Sequence, residues 1–511
     1  MFFSKKEEEI KTLNNYKKIA PKSSYGRAIT SIESAKEELF REHISFNPLE
    51  FINIQEQFFG LKYDTKQPFY VPFADSTHLL YVGATRSAKG VSLAHRAVEA
   101  IRLGKGLIVI DPKKDDFLLQ VITEELERQG RSNSEMLVSS WPNNFGYSAF
   151  NQDDTYLEFS NKLIVALDLA PVGDPKADYY RRNERTLLKS IIKIYFNSHE
   201  LLNIQFEYNY KSFSNFIKYL IHDMKSIEAY YRENAKNKPN FDLLENLNAL
   251  YFAKKAFLAL ELSQEDERTL QGLYQTILEL CNANIYTQIN LDSALYENKI
   301  IYIQADQLDD ASLKMLKMLQ VDIIQKAKKK TANTVVIADE VSFYATKTLA
   351  DSLSTIAGFG VHYILAMQDL AQLNDDGIKK PILSNCQTKL FYKSSDIETL
   401  RYIQELSGKE LVTQISKRNE ITTINQTQED YLNITRLRAL KRDRVAVLIC
   451  EALNAPVIVQ TWHIEVRNKF DWNKYIITTN EIKVTELKKI HKIKEEEKVE
   501  ISNNENEEVQ L

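Results

Sequence analysis

The sequence predicts an α/β fold, in which a mostly parallel sheet is covered on both faces and an all-α domain is inserted between two groups of strands. The first observation is the stretch His78–Asp116, HLLYVGATRSAKGVSLAHRAVEAIRLGKGLIVIDPKKDD. Its apolar runs Leu79–Val82 and Leu107–Ile110 have strand length, and Ala94, Ala97, Val98 and Ile101 recur between them at helical spacing. The second is the alternation from Lys299 onward, where KIIYIQ, TVVIADE and VHYILAMQ are separated by helical stretches. Strands that alternate with helices give a parallel sheet buried on both faces. The third is the segment Leu157–Cys281, where strand-type runs nearly vanish and helical periodicity dominates.

In chain order, residues 1–61 read as a polar, partly helical leader, with Ile32, Ala35, Leu39 and Phe40 roughly on one face. It packs on the main domain or a partner, or forms a flexible arm. Residues 62–156 are the first part of the α/β domain. Pro68 and Pro72 hold its entry extended, a helix follows from Asp116 to about Gln129, and Met136–Ser139 is strand-like. Residues 157–287 are the inserted all-α domain, and residues 288–470 the second part of the α/β domain. That second part has a helix with Leu313, Leu316, Leu319 and Ile323 on its apolar face. It also has a helix over TLADSLSTIAGFG, with further strands in TKLFYK, VAVLIC and PVIVQTW. Residues 471–511 form a charged, repetitive tail whose composition predicts disorder.

Composition narrows the function. The chain has 511 residues, 44% hydrophobic and 27% charged, with a net charge of −4. It can bury a large core but is not coated in positive charge. The three cysteines, Cys281, Cys386 and Cys450, lack metal-type spacing, and the eight histidines form no paired-ligand pattern. No run reaches the roughly 18 apolar residues of a membrane helix. A cytoplasmic setting is expected, or a peripheral one at the inner face of the cytoplasmic membrane through a partner.

The loop between the first strand and helix reads Gly83, Ala84, Thr85, Arg86, Ser87, Ala88, Lys89, Gly90, Val91. Backbone N–H groups and the helix dipole favour an anion at this entry, and Lys89 can reach a terminal phosphate. The common phosphate-loop pattern is G-x-x-x-x-G-K-[ST], from which Ala88 and Gly90 depart. Ala88 puts a methyl group where backbone approaches phosphate, and it fits only at negative φ. Gly90 lacks the hydroxyl that would bind Mg²⁺. An ordinary strand–turn–helix connection with a surface lysine is the alternative.

A second informative stretch follows. The strand Val335–Ala338 runs into Asp339 and Glu340, placing carboxylates at a strand tip, where parallel sheets bind ligands. Beside a phosphate loop, Asp339 would hold Mg²⁺ and Glu340 would activate the attacking water. An exposed acidic helix cap is the alternative. Gln368 ends the next strand and could sense the γ-phosphate of ATP or position water, or be a satisfied buried amide.

Four blocks in register carry a family resemblance over roughly residues 70–465. The loop GATRSAKG with Val91, the strand VIDPK, the DE strand with LADSL and QDLAQL, and SNCQTKLFYKSSDIETLRYIQELSG (Ser384–Gly408) resemble the TraG/TraD coupling proteins of type IV secretion. In many members glycine follows the lysine, so Gly90 is expected and Ala88 departs. The resemblance implies a RecA-like P-loop NTPase domain with an inserted all-α domain, and a homo-hexameric ATPase that uses ATP and Mg²⁺ and binds DNA. It implies delivery of a relaxase–DNA or secreted protein substrate, received by the all-α domain, to secretion-channel or membrane-anchor subunits. Catalysis would rest on Lys89, Glu340 and Gln368. Arg181, Arg182 and Arg185, Lys326–Lys330, and Arg436–Arg444 are candidate DNA contacts, or else solvated charge.

Three departures from the family bear on activity. The family usually carries N-terminal membrane helices, and none is visible here. Ala88 alters the loop. The stretch Thr355–Gly360, where the family commonly has an arginine finger, contains no arginine. Such a finger can be worth orders of magnitude in rate; Arg185 or Arg401 could substitute. Two further readings follow: a catalytically weak or inactive nucleotide-binding scaffold, and a soluble DNA-pumping ATPase unrelated to secretion.

Overall fold

The computed structural model describes residues 45–470, apart from 114–115, 142–146, 148–149, 152, 172, 203–209, 222–242, 283–288, 419–420, 441–443 and 468–469. Most of the leader, the charged tail and part of the Arg436–Arg444 cluster therefore lie outside the described residues.

The strands β1 (Glu56–Lys62) and β2 (Pro68–Pro72) pair antiparallel. Then come β3 (Leu79–Val82), α1 (Lys89–Arg102), β4 (Gly106–Asp111), α2 (Asp116–Arg128) and β5 (Met136–Ser140). Among the described residues five helices follow: α3 (Tyr156–Ala166), α4 (Pro175–Leu202), α5 (Tyr210–Ile221), α6 (Leu243–Leu258) and α7 (Gln264–Asn282). The alternation resumes with α8 (Leu291–Tyr296), β6 (Ile300–Gln304), α9 (Asp310–Lys329), β7 (Thr334–Ala338), α10 (Lys347–Ser352) and β8 (Val361–Met367). It continues through α11 (Asp376–Asn385), β9 (Thr388–Tyr392), α12 (Ile397–Ser407), β10 (Lys409–Arg418) and β11 (Ile421–Asp430). It closes with α13 (Ile434–Ala439), β12 (Val445–Cys450) and β13 (Val457–Gln460).

The described residues fall into two compact units. One comprises 45–136, Leu291–Tyr302 and Gln320–Phe470; the other comprises Leu137–Asn290 and Ile303–Leu319. In the first, the strand order is β2-β1-β13-β12-β9-β3-β8-β7-β4-β6. Strands β9, β3, β8, β7 and β4 run parallel to their neighbours in that series. Every residue of β3, β4, β7 and β9 is buried, which is why these strands read as continuous apolar runs rather than alternating ones. The parallel α/β centre expected from the sequence is present, and β12, β13, β1 and β2 extend it as an antiparallel wing.

Helix α1 is buried almost all round, from Val91 to Ile101, beyond the single apolar face its spacing predicts. Its buried charged residues are partnered only in part, since Arg96 Nε and Glu99 Oε1 have no partner among the described residues. Arg96 Nη1 lies 2.6 Å from Glu99 Oε2 one turn on, and His95 Nε2 is 3.0 Å from Pro48 O. Burial holds the His95 ring well below its usual pKa.

In the second unit, a capping box starts α3: Thr155 and Glu158 bond each other's backbone N–H groups. Aromatic rings fill the helical core, with Phe150 and Phe159 centroids 4.3 Å apart and Tyr195 and Phe213 centroids 5.1 Å apart.

Two local expectations are corrected. The helix expected over TLADSLSTIAGFG stops at Ser352, and a 3₁₀ turn covers Ile356–Phe359. Gly360 has φ 79°, and a Cβ there would lie 1.9 Å from Ala332 O. The turn is pinned from outside, since Phe359 O accepts the Ala332 N–H and Gly360 O accepts the Thr334 N–H. The second is the hairpin β10–β11, with ten residues in each strand. Its Thr, Gln and Asn residues carry no apolar alternation, so no strand was expected.

Candidate nucleotide site

The loop after β3 begins at a close approach. Gly83 N–H donates to Met367 O at 3.1 Å, and a Cβ on Gly83 would lie 2.5 Å from Tyr392 Cβ and 2.8 Å from Ser87 Oγ. Only glycine fits that approach. The loop turns through Ala84, Thr85 and Arg86, with Ser87 N–H bonded to Ala84 O at 3.2 Å. Thr85, Arg86 and Gly90 are exposed, whereas Ser87, Lys89 and Val91 are buried.

Ala88 overturns one expectation. It has φ 76° and ψ 12°, a left-handed conformation, rather than the negative φ at which alanine fits without strain. It accepts the N–H groups of Val91 and Ser92, so the loop keeps a backbone suited to glycine while carrying alanine. That conformation costs a non-glycine residue about 1–2 kcal/mol.

Lys89, at the first turn of α1, is only 5% exposed, and its Nζ lies 3.3 Å from Glu340 Oε1. Gln368 Nε2 donates to the same oxygen at 3.3 Å. Lys113 Nζ also contacts Oε1 and lies 3.4 Å from Asp339 Oδ2. Glu340 is fully buried with φ 43°, and its second oxygen, Oε2, has no partner among the described residues. A buried orphan carboxylate oxygen beside a loop lysine is a costly arrangement that persists where function needs it.

The sequence-predicted residues Lys89, Asp339, Glu340 and Gln368 are thus brought together at the tips of strands that pair in the sheet's centre. Sequence reasoning had not singled out Lys113. Its signal was its place just beyond β4, where its N–H bonds Asp111 Oδ1 at 2.9 Å and turns the side chain toward Asp339. Tyr302 OH donates to Asp111 Oδ2 at 2.9 Å, and Tyr344 OH donates to Asp339 O at 2.8 Å. Behind Gln368, Gln372 Oε1 accepts both the Gln368 N–H at 3.1 Å and the Ser342 hydroxyl at 3.2 Å.

The two lysines differ electrostatically. Burial lowers the pKa of Lys89 against the pull of Asp339 and Glu340. Burial also draws Lys113 down, but Asp339 and Glu340 overcome it and hold its ammonium above the usual lysine value. The chemistry on hand is a loop of backbone donors with a buried cation, opposite a buried carboxylate with a free oxygen and an adjacent amide. The donors beside Asp339 are hard oxygens, which suit Mg²⁺ when phosphate and water complete its shell.

Arg185 Nη1 donates to Leu169 O at 2.5 Å in the helical unit, and Arg401 is exposed on α12.

Residues 333–448 match the family model described as the TraM recognition site of TraD and TraG. Over that stretch the chain is similar to TraD and TraG. No curated protein matches it in sequence. Among solved structures, the unbound monoclinic form of the bacterial conjugative coupling protein TrwBdeltaN70 superposes with TM-score 0.55 at 16% identity, over 78% of this chain and 88% of that one. The plasmid coupling protein TrwB in complex with ADP and Mg²⁺ gives TM-score 0.55 at 14% identity, over 84% and 94%. Its complex with the non-hydrolysable ATP analogue ADPNP gives 0.55 at 13%, over 80% and 90%. The chain therefore shares the α/β fold of these coupling proteins. Among the described residues no helix is long and apolar enough to cross a membrane.

Proposed function

We propose that this chain is a coupling-protein ATPase that binds ATP with Mg²⁺ and DNA, acts as a homo-hexamer, and delivers a relaxase–DNA or protein substrate to a type IV secretion channel. One observation carries the reading: Lys89 and Gln368 converge on the buried Glu340, with Asp339 and Lys113 beside it. That the similar TrwB structures are complexes with ADP and Mg²⁺ and with ADPNP supports nucleotide binding as part of this reading.

On this reading the loop N–H groups at the entry to α1 and the Lys89 ammonium take the β- and γ-phosphates. Lys89 exchanges its contact with Glu340 for phosphate, which leaves the carboxylate free to act as a base. Water attacks the γ-phosphorus and gives its proton to Glu340. The bond to the terminal oxygen of ADP breaks, and ADP and phosphate are released. Gln368 orients the water through its amide. Asp339 would hold Mg²⁺, directly or through water, and the ion would supply charge neutralisation at the phosphate oxygens. The all-α domain, residues 157–287, receives the substrate, and a partner subunit supplies attachment at the inner face of the membrane.

A second reading, a nucleotide-binding scaffold with weak or no turnover, is favoured by the absence of arginine from Thr355–Gly360. ATP hydrolysis measured with and without single- and double-stranded DNA separates the two. DNA-stimulated turnover, abolished by Lys89→Ala, supports the motor. Nucleotide binding without turnover under any condition establishes the scaffold.

A further inference from the structure

At the end of β9 away from Tyr392, the first unit has an open cleft of about 510 Å³, within the range of roughly 300–1,000 Å³ typical of ligand pockets. Its walls include Leu383 of α11, Tyr402 and Leu406 of α12, Ile449 of β12 and Leu453 of the turn beyond. These are apolar, and Leu406 remains 43% exposed. Lys389, from the middle of the sheet, also lines the cleft although it is only 4% exposed. Its position opposite Ile449 in the β9–β12 pairing fixes it there.

Lys389 has no counter-charge. Among the described residues its ammonium makes neither a hydrogen bond nor an ion pair. Nearby groups do not supply one. Burial pushes the Cys386 thiol up to about 12, so it is no thiolate. Cys450 Sγ is occupied by the Thr388 hydroxyl at 3.2 Å and Asp75 O at 3.6 Å. Glu451 is exposed, and its charge reaches Lys389 without an ion pair. Burial accordingly lowers the pKa of Lys389, with Cys386, Glu451 and Cys450 opposing. The stem of Lys389 is buried while its ammonium reaches the cleft, where an anion can take the place of water on it.

We propose that this cleft binds a carboxylate with an apolar body, its head on Lys389 Nζ and its body against Tyr402, Leu406 and Leu453. Lys380 also lines the cleft but is paired with Asp376 at 2.9 Å, so one unpaired ammonium, with Glu451 nearby, matches a monoanion better than a phosphate dianion. Such a ligand is either a free aliphatic acid or the carboxyl-terminal residue of a peptide. The site lies at the opposite end of β9 from the residue that packs on Gly83, so it is distinct from the nucleotide loop.

Calorimetric titration of the intact chain with hexanoate, N-acetyl-leucyl-leucine and the amide of that dipeptide tests this. At least one acid binds with Kd below about 1 mM, and the dipeptide amide binds at least about tenfold more weakly than the acids that bind. Lys389→Met, which keeps the stem and removes the charge, loses the binding and melts at an equal or higher temperature. Binding of hexanoate alone assigns a free acid, and binding of the dipeptide acid alone assigns a chain terminus. The proposal is overturned if neither acid binds, if the amide matches the acid, or if Lys389→Met binds as wild type does. Should Lys389→Met fail to fold, Leu406→Asp puts a like charge on the half-exposed wall, and undiminished binding there overturns the proposal equally.

Discussion

Lys89 Nζ lies 3.3 Å from Glu340 Oε1, joining residues 251 positions apart in the sequence. The loop lysine and the strand-tip carboxylate are parked on each other, with Lys113 and Gln368 on the same oxygen. A phosphate that takes Lys89 therefore changes the environment of Glu340 directly.

Lys113→Met is expected to destabilise the nucleotide-free protein. It leaves Asp339 and the buried Glu340 one cation short, and Lys113 is partly exposed, so the cost is about 1–3 kcal/mol. Urea unfolding measures it. Under the proposed function, ATP and Mg²⁺ narrow the gap because another cation then serves Asp339. An unchanged urea midpoint without nucleotide contradicts the role given to Lys113.

Ala88→Gly should stabilise the chain. Ala88 sits at φ 76°, where its methyl group is strained. Relief of about 1–2 kcal/mol is offset in part by the greater freedom of glycine in the unfolded chain. A net gain of up to about 1 kcal/mol is expected in the same unfolding assay. A loss would mean that the loop uses the methyl group for packing.

How much of this was visible in the sequence depends on what each residue answers to. Strands β3, β4, β7 and β8 were legible because burial on both faces makes them short continuous apolar runs. The grouping of Lys89, Glu340 and Gln368 was legible for a topological reason, since parallel neighbouring strands end on the same edge. Ala88 was misjudged because local preference was read without the fold. Gly83 wedged against Tyr392 and Lys89 tied to Glu340 fix the loop on either side and leave Ala88 the left-handed turn. Lys113 went unselected because a lysine after a strand is ordinary until Asp339 and Glu340 are seen opposite it. The hairpin β10–β11 was hidden because its strand pairing rests on backbone bonds between polar residues.

Stability should fall on mild acidification, in part through His78. Burial, followed by the charge of His362, lowers its pKa to about 4, and its Nδ1 accepts the Tyr363 N–H at 3.0 Å. In the unfolded chain the value is about 6.5. The unfolded state thus takes up the proton first as pH falls, so stability present above about 6.5 is lost progressively toward 4. Between pH 7.5 and 5 this residue accounts for about 2 kcal/mol. His78→Asn, which keeps an acceptor but cannot titrate, should flatten the dependence by that amount in urea unfolding at the two pH values. An equally steep dependence would place the proton elsewhere.

The most direct test of the central claim is single-turnover hydrolysis of ATP by Glu340→Gln beside the wild-type chain, with nucleotide binding measured in parallel. The amide keeps the shape of the buried side chain and removes the base, so hydrolysis should fall at least about 100-fold while binding of ATP and Mg²⁺ persists. Hydrolysis by Glu340→Gln at the wild-type rate would contradict the account, as would a wild-type chain that binds ATP and never cleaves it.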